Sequence, residues 1–367
     1  MHSHVVSNCL QKGRAVKILI TGGTGRVGAN LVPRLLAAGH EIRAFIYPGD
    51  ASRAHKLDAF AGVETVTGDL RNLDDVSGAV QGVDAVYHLA AAFMAPFDNR
   101  QYLEINAMGT LNLLESVRAR CPNLHRFVYA STVAVYLRLE EKGRHFEEPI
   151  REEMAARYHQ MPYFLTKWVG EELTMAYYYQ YGLPAASFRF STIIEPSEFF
   201  NEAGLPKLLA FSSAYEQHRS MQSSDPDTQA MLDHLNAQWT GRDHLLLSRN
   251  PNGVPYKEQF SDVRDIARGL QLAIEKEEAV GEAFNLAGGV IIDWGEAVPR
   301  LAERFGVRYT DARLPTPVHY TLDLTKIKTR LGFEPRHDLN SVIETAEAIR
   351  RGEETDIVPT GIRYGEG

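Results

Sequence analysis

Tyr163 and Lys167 lie one helical turn apart in the segment PYFLTK, so both side chains would lie on one face of a helix. A phenol has an ordinary pKa of about 10 and is a poor base at neutral pH. A lysine ammonium nearby favours the phenolate, which could then remove the proton of a hydroxyl group. Thr132 follows the apolar segment HRFVYAS and could hold the same hydroxyl oxygen by a hydrogen bond. Thr132, Tyr163 and Lys167 are therefore the candidate catalytic residues.

Short strand-like segments alternate with longer amphipathic segments along the first half of the chain. The short segments are rich in β-branched and aromatic residues, whereas the segments between them have helical periodicity. This alternation is typical of an α/β fold in which helices cover both faces of a parallel sheet. The predicted strands are residues 16–21, 41–47, 63–69, 84–90, 125–131 and 185–191, with a later strand at 283–289.

The first predicted strand leads into a glycine-rich loop, TGGTGRVG. Gly22 permits a tight turn, Gly25 lets a pyrophosphate approach the backbone, and Gly28 lets the next helix pack closely on the strand. The amino end of that helix offers free N–H groups and a positive dipole end to phosphates. Because a strand precedes the glycines and a helix follows them, the loop predicts a dinucleotide site with its nicotinamide near Tyr163.

The sequence leaves the choice between NAD and NADP open. A carboxylate at the end of the second strand would bind the ribose 2′-hydroxyl of NAD, but Ile46 and Tyr47 stand there and the first acid is Asp50. Arg26 and Arg53 could instead bind a 2′-phosphate, or they could lie on the solvated surface. We expect NAD or NADP, with a slight preference for NADP.

Further cofactor contacts are predicted at the ends of the third and fourth strands. Asp69 could contact the adenine ring or serve only as a turn residue, and Lys167 could also hold the nicotinamide ribose. The predicted cofactor-binding residues are Gly22, Gly25, Arg26, Val27, Gly28, Asp69, Leu70, Ala90 and Lys167.

These motifs occur in the order found in the extended short-chain dehydrogenase/reductase family, and the chain resembles its NAD-dependent epimerase/dehydratase branch from about residue 16 to residue 350. The resemblance implies that Thr132, Tyr163 and Lys167 are the catalytic set. It leaves Asn106 either as a supporting residue or as a helix-packing residue. It also implies a homodimer that pairs two long helices from each subunit. The similar segments are TGGTGRVG (21–28), HLAAAF (88–93), NAMGTLNLLE (106–115), ASTVAVY (130–136), PYFLTK (162–167), QFSDVRDIARG (259–269) and YTLDLTKIKTRLGFEP (320–335).

Departures from the family pattern limit the reactions that the chain could catalyse. Sugar-nucleotide 4,6-dehydratases follow the catalytic threonine with Asp-Glu, whereas this chain has Val133 and Ala134, which cannot move protons. Thr192 and Glu195 stand where sugar-nucleotide enzymes often have asparagine and glycine, and Glu258 stands where they tend to have arginine. A glutamate in place of that arginine would make a poorer diphosphate site by like-charge repulsion.

We predict NAD(P)-dependent hydride transfer at a secondary alcohol or ketone carbon of a sugar-like small molecule. The leading function is a sugar or nucleotide-sugar epimerase. The alternative is an NADPH-dependent carbonyl reductase or alcohol dehydrogenase acting on a non-nucleotide substrate, and a further alternative is a non-catalytic dinucleotide sensor.

The alternation of strands and helices breaks after Pro196. We predict a Rossmann-type doubly wound parallel sheet over residues 15–196, to which 259–289 return. Residues 197–258 and 290–367 would form a smaller substrate-binding part, and 1–14 a loose extension. We expect 197–258 to shape or cover the substrate pocket.

Three basic residues near the end of that polar segment admit two interpretations. They could recognise an anionic or hydroxyl-rich substrate, or they could belong to an exposed polar loop. The residues are Arg242, His244 and Arg249.

The composition argues against several other functions. A net charge of −8 disfavours nucleic-acid and anionic-membrane partners, because both favour a basic face. Cys9 and Cys121 are too few for a disulfide framework, which indicates a cytoplasmic protein. The chain has no apolar segment of about 18 residues that could span a membrane. Its 13 histidines form no metal-binding motif, so no metal site is predicted.

Overall fold

The computed structural model describes residues 15–136, 144–156, 159, 161–219, 226–316 and 318–360. The predicted extension at 1–14 lies outside the described residues. Within those residues, 14 strands and 11 α-helices are present. The strands are β1 (Lys17–Thr21), β2 (Glu41–Ile46), β3 (Val63–Thr67), β4 (Ala85–His88), β5 (Arg126–Thr132), β6 (Arg144–His145), β7 (Ala185–Phe190), β8 (Thr192–Ile194), β9 (Leu245–Arg249), β10 (Lys257–Asp262), β11 (Ala283–Leu286), β12 (Val290–Asp293), β13 (Tyr309–Arg313) and β14 (Val318–Tyr320).

Helices connect most of these strands. Between α3 (Asn99–Tyr102) and α4 (Gly109–Arg120) the chain continues as a π-helix over Leu103–Met108, so these three elements form one helical stretch. The α-helices are α1 (Arg26–Ala37), α2 (Leu73–Ala79), α3 (Asn99–Tyr102), α4 (Gly109–Arg120), α5 (Pro162–Tyr181), α6 (Phe211–Arg219), α7 (Pro226–Gln238), α8 (Val263–Glu275), α9 (Trp294–Phe305), α10 (Thr325–Leu331) and α11 (Leu339–Arg350). Among the helices that the structure describes, none is long and apolar enough to cross a membrane.

Seven strands form one parallel sheet in the order β11-β7-β5-β4-β1-β2-β3. All seven correspond to strands predicted from the sequence, and the predicted doubly wound α/β fold is confirmed. Successive side chains of a strand point to opposite faces of the sheet. Accordingly, Ile18 and Ile20 pack in one hydrophobic cluster, whereas Leu19 between them packs in another. Helices therefore cover both faces of this sheet.

A smaller sheet contains β12-β10-β14-β6, with β8 also paired to β10. Since β8 begins two residues after β7 ends, the chain passes from the large sheet to the small one at this point. A separate pair, β13-β9, packs with α9 in the hydrophobic cluster of this half. The chain returns to the large sheet at β11, although β10 belongs to the small one. The division into a cofactor-binding and a substrate-binding part remains a prediction.

Candidate active site

The carboxyl ends of β1, β4, β5 and β7 border a cleft of about 650 Å³. The strand order runs outward in opposite directions from β1 and β4, and open α/β sheets bind ligands at such a point. The residues predicted to bind cofactor or to catalyse all line this cleft, and their roles remain predictions. They are Gly22, Gly25, Arg26, Val27, Gly28, Asp69, Leu70, Ala90, Thr132, Tyr163 and Lys167.

The glycine loop has no room for side chains at two of its glycines. Gly22 has a φ of 73°, and a Cβ atom there would lie 2.8 Å from the backbone nitrogen of Ala90. A Cβ atom on Gly28 would lie 2.7 Å from Gly23 Cα and still closer to the carbonyl oxygen of Gly22. Helix α1 begins directly after Gly25, which has no side chain to cap the first N–H groups. Those N–H groups can therefore bind an anion.

A buried polar network fixes the strand beside this loop. Thr110 donates its hydroxyl hydrogen to the carbonyl oxygen of Asn106, so it accepts a hydrogen bond from His88 Nε2 at 2.9 Å. His88 Nδ1 then accepts from Thr21 Oγ1 at 2.7 Å, and Thr21 Oγ1 accepts from the backbone N–H of Ala90. Burial lowers the pKa of His88 to about 3, so the ring is neutral at neutral pH. The network thereby holds Ala90 against the glycine loop.

Tyr163 is half-buried in the first turn of α5, which begins at Pro162. Its ring lies 4.9 Å from that of Phe93, centroid to centroid. Burial raises the pKa of the Tyr163 phenol well above its usual value, and a hydrogen bond with Thr132 opposes the rise. Thr132 Oγ1 also accepts a hydrogen bond from the backbone N–H of Ala134 at 3.2 Å. The phenol is therefore protonated unless positive charge is brought close to it.

Lys167 lies one turn further along α5 and is only 3% exposed. Its Nζ atom is 4.2 Å from the centroid of the Tyr129 ring. Burial lowers the pKa of Lys167 to about 7, although the nearby Glu171 carboxylate opposes the change. Glu171 is itself bound to Arg189 at 2.5 Å in a buried ion pair. The site thus holds a cation that titrates near neutral pH within one helical turn of a phenol.

Asn106 lies behind the cleft rather than in its wall. Its side chain accepts a hydrogen bond from Ala92 N at 2.7 Å and donates to Ala92 O and to Thr166 Oγ1 at 3.1 and 3.0 Å. Thr166 belongs to α5, between Tyr163 and Lys167. Asn106 therefore joins the loop after β4 to the helix of the candidate catalytic residues. These contacts are those expected of a helix-packing residue, which is one of the two roles considered for Asn106 above.

The contacts of Arg26 and Arg53 give no support to the preference for NADP. Arg26 donates to the carbonyl oxygen of Ile193 at 2.7 Å and forms an ion pair with Glu198. Arg53 donates to the carbonyl oxygen of Thr360 at 2.8 Å. Both guanidinium groups are therefore bound within the protein, although both line the cleft.

Asp69 also has a protein partner. Arg71 binds both of its carboxylate oxygens at 2.6–3.0 Å, and these hydrogen bonds lower the pKa of Asp69. A carboxylate oxygen can accept more than one hydrogen bond, so Asp69 retains acceptor capacity toward the cleft that it lines.

The segment that contains Val358 and Thr360 packs beside α1. This contact was not predicted from the sequence. Asn30 donates to Val358 O at 3.1 Å and accepts from Val358 N at 2.9 Å. Thr360 donates from its backbone and its hydroxyl to Glu195 Oε2 at 3.0 and 3.2 Å. Glu195 is fully buried, so its carboxylate makes contacts within the protein and does not face the cleft.

The basic residues proposed for substrate recognition lie elsewhere. Arg249 pairs with Asp311 at 2.8 Å, and His244 Nε2 bonds Thr310 Oγ1 at 2.9 Å. Neither these two residues nor Arg242 lines the cleft, so the structure gives no support to a role of the three in recognising a substrate there. The described residues of 197–258 contribute none of its wall, so they do not shape this cleft, and a covering role for the segment stays a prediction.

Several cleft residues were missed by the sequence analysis. Ser131 is 3% exposed, and its Oγ atom has no hydrogen-bond partner within the described residues, although it lines the cleft. Its position next to Thr132 at the end of a strand was a usable signal. Apolar side chains complete the wall, and nothing in their local sequence marks them. They are Phe93, Phe97, Ile105, Phe164 and Phe190.

A model of the NAD dependent epimerase/dehydratase family matches residues 18–226. A solved short-chain dehydrogenase/reductase superfamily protein from Agrobacterium tumefaciens, with bound NAD, is similar with a TM-score of 0.77 and 29% identity, covering 92% of this chain and 97% of that chain. A dTDP-glucose 4,6-dehydratase from Streptomyces niveus is 26% identical over 353 residues, 91% of this chain and 93% of the relative. A 3-beta-hydroxysteroid dehydrogenase from Mycolicibacterium neoaurum is 35% identical over 128 residues, 33% of each protein.

Proposed function

The chain belongs to the NAD-dependent epimerase/dehydratase family, and from that premise we propose that it transfers hydride between NAD and the carbon of a secondary alcohol or ketone. One observation carries the proposal: the glycine loop and the Thr132, Tyr163 and Lys167 side chains line the same cleft. A dinucleotide site and a proton-transfer group are the two components that such a reaction requires.

Two observations support the binding of NAD in this cleft. Gly22 and Gly28 leave a cradle that a Cβ atom would fill, and the buried Ser131 hydroxyl lacks a partner within the described residues. The cofactor would be held by the glycine loop, Asp69, Leu70, Ala90 and Lys167. NAD is preferred over NADP because Arg26 and Arg53 are bound within the protein, and because the similar A. tumefaciens protein was solved with NAD. When bound, NAD supplies the hydride acceptor.

The proposed roles of the side chains follow from their chemistry. Thr132 holds the substrate oxygen by a hydrogen bond, and Tyr163 takes the proton of that oxygen as the alcohol is oxidised to a ketone. Lys167, when charged, favours the phenolate that burial disfavours. Reduction of a ketone uses the same groups in reverse, with Tyr163 as the proton donor.

Two outcomes of this step remain candidates. Return of the hydride to the opposite face of a sugar or nucleotide-sugar ketone would make the protein an epimerase, in line with the family. Release of the ketone would make it an alcohol dehydrogenase or carbonyl reductase, which the apolar wall of the cleft favours. Dehydration is disfavoured, because the residues after Thr132 are the buried and apolar Val133 and Ala134.

We also propose that the protein forms a homodimer through its long helices. Large apolar or aromatic side chains remain exposed on the stretch from α3 to α4 and on α5, and buried packing is their usual state. They are Leu103, Met108, Leu165, Tyr179 and Tyr181. Sedimentation velocity tests this: a mass of twice 41.1 kDa supports the dimer, and a monomer at micromolar concentration contradicts it.

Identification of the retained cofactor tests the function. The purified protein is denatured, and any released dinucleotide is identified by its mass. Stoichiometric NAD supports an epimerase, which regenerates its cofactor in each turnover. An empty protein that binds NAD reversibly supports the dehydrogenase. A protein that binds neither NAD nor NADP contradicts the proposal.

A further inference from the structure

Aromatic and aliphatic side chains dominate the cleft wall around Tyr163. The rings of Phe93 and Phe164 lie 4.9 and 6.1 Å from the Tyr163 ring, and Phe97 and Ile105 line the same space. Phe93 nevertheless keeps 45% of its surface exposed. An exposed aromatic ring beside a candidate catalytic group indicates a surface that an apolar ligand covers.

The loop that carries Phe93 has an unusual backbone. Met94 has a φ of 51°, a left-handed conformation that non-glycine residues adopt rarely. The loop is also tied down on both sides, because Ala92 bonds Asn106 and Ala95 N bonds the Tyr102 hydroxyl at 3.1 Å. The Phe93 ring is thus presented to the cleft by a restrained loop, as a binding surface requires.

Two of the cations that line the cleft are paired with carboxylates of the protein. Among the described lining residues the cations are Arg26, Arg53, Arg71 and Lys167, and Arg26 and Arg71 pair with Glu198 and Asp69. On the side of β8, the buried Glu258 accepts hydrogen bonds from Thr192 and from Tyr320, both at 2.8 Å. Thr192 lines the cleft, but its hydroxyl hydrogen is already donated to Glu258 and is therefore not available to a diphosphate there.

We propose that the substrate is a secondary alcohol or ketone carried on an uncharged, apolar ring or chain, and not a nucleoside-diphosphate sugar. This proposal rests on the proposed function, since it concerns the same cleft. The apolar body lies against Phe93, Phe97 and Phe164, while Thr132 and Tyr163 bind the single oxygen. A mostly apolar pocket with a few convergent polar groups is the usual design of a small-molecule site.

Binding is measured by calorimetry on the full-length protein saturated with NAD, in which a ketone cannot be reduced. The probes are cyclohexanone, 4-phenylcyclohexanone and UDP-glucose. Each added methylene group buried in an apolar site strengthens binding about fourfold, so the added phenyl ring should lower Kd at least tenfold. Tighter binding of UDP-glucose than of 4-phenylcyclohexanone overturns the proposal.

Variants locate the binding surface. Phe97→Ala should raise the Kd for 4-phenylcyclohexanone at least tenfold, and Phe97→Leu should raise it less, because it retains part of the apolar volume. Tyr309→Ala removes an aromatic ring that is 42% exposed and lies outside the cleft, so it should leave Kd unchanged. An unchanged Kd in both folded Phe97 variants overturns the proposal.

Turnover separates the two proposals. If 4-phenylcyclohexanone binds as expected but wild-type protein never oxidises 4-phenylcyclohexanol with NAD, the substrate class survives and the proposed hydride transfer fails. If wild-type protein turns over UDP-glucose and does not bind the phenyl ketone, hydride transfer survives and the substrate class is wrong.

Discussion

The Lys167 ammonium lies 4.2 Å from the centroid of the Tyr129 ring, which places a buried cation over an aromatic face one helical turn from Tyr163. The ring attracts the charge but does not replace the water that burial removes. The pKa of Lys167 accordingly falls to about 7. Burial of the charged Lys167 therefore lowers the stability of the unliganded protein.

Replacement of Lys167 should change how stability depends on pH. The lysine pKa is 10.5 in its usual state and about 7 in the folded protein, so between these values the unfolded chain binds more protons and wild-type stability rises with pH. Cofactor-free Lys167→Met should be more stable than wild type below pH 7, and its advantage should shrink as pH rises toward 10.5. Urea unfolding at several pH values measures this. Lys276→Met, at an exposed lysine, is the control and should follow wild type. A Lys167→Met variant that also follows wild type would show that burial of Lys167 does not lower its pKa.

The Glu171–Arg189 ion pair should contribute strongly to stability. Its two side chains are 2% and 6% exposed, and Ser187 also donates to Glu171. Because Glu171→Ala leaves the Arg189 guanidinium buried and unpaired, we expect a loss of about 3–5 kcal/mol in the free energy of unfolding. Glu104→Ala, which breaks a pair with the 86% exposed Arg100, should have a much smaller effect. Equal losses in the two variants would refute the argument from burial.

The sequence predicted those features that local patterns encode. β-Branched runs located the strands of the large sheet, and glycine spacing located the loop beside β4. The Arg26–Glu198 pair, by contrast, joins residues 172 positions apart in the sequence, and the Arg249–Asp311 pair joins residues 62 positions apart. Such pairs depend on how the strands are ordered. The sequence alone therefore showed that Arg26 and Arg249 are cations but could not show which carboxylates bind them.

The apolar wall of the cleft escaped prediction for a related reason. Phe93, Ile105 and Phe164 come from a loop, a π-helix and α5, which meet only in the folded chain. The π-helix segment itself, LEINAM, has no clear signature and is indistinguishable in sequence from an ordinary α-helix. The Tyr163-Lys167 spacing, in contrast, is a property of a single helix and could be predicted directly.

A methyl group on Gly28 should disrupt the cofactor loop. The added Cβ atom would lie 2.7 Å from Gly23 Cα, so α1 would have to move away from β1. We expect Gly28→Ala to bind NAD at least tenfold more weakly, as measured by calorimetry. The matched control is Gly78→Ala on the exposed face of α2, where nothing lies within 4 Å. It should retain NAD affinity and gain about 0.5–1 kcal/mol in stability. NAD affinities that are the same in both variants would contradict the close-packed loop.

The segment at residues 356–360 should loosen when Asn30 is replaced. Asn30→Ala removes both hydrogen bonds to Val358 and should cost about 1–3 kcal/mol in local stability. Hydrogen exchange of the Val358 and Thr360 amides should become faster, by about tenfold or more, while amides of β1 keep their rates. Asn340→Ala, at an exposed asparagine, serves as the control. Unchanged exchange at Val358 would show that other contacts hold the segment.

Single-turnover formation of reduced nicotinamide in wild type and Tyr163→Phe tests the central claim most directly. Protein loaded with NAD is mixed with a panel of secondary alcohols that includes 4-phenylcyclohexanol and UDP-glucose, and NAD affinity is measured in parallel. Loss of the proton acceptor should slow the step by about 10²- to 10⁴-fold while NAD affinity stays within twofold of wild type. Equal rates in the two proteins would contradict the assignment of Tyr163 as the proton-transfer group.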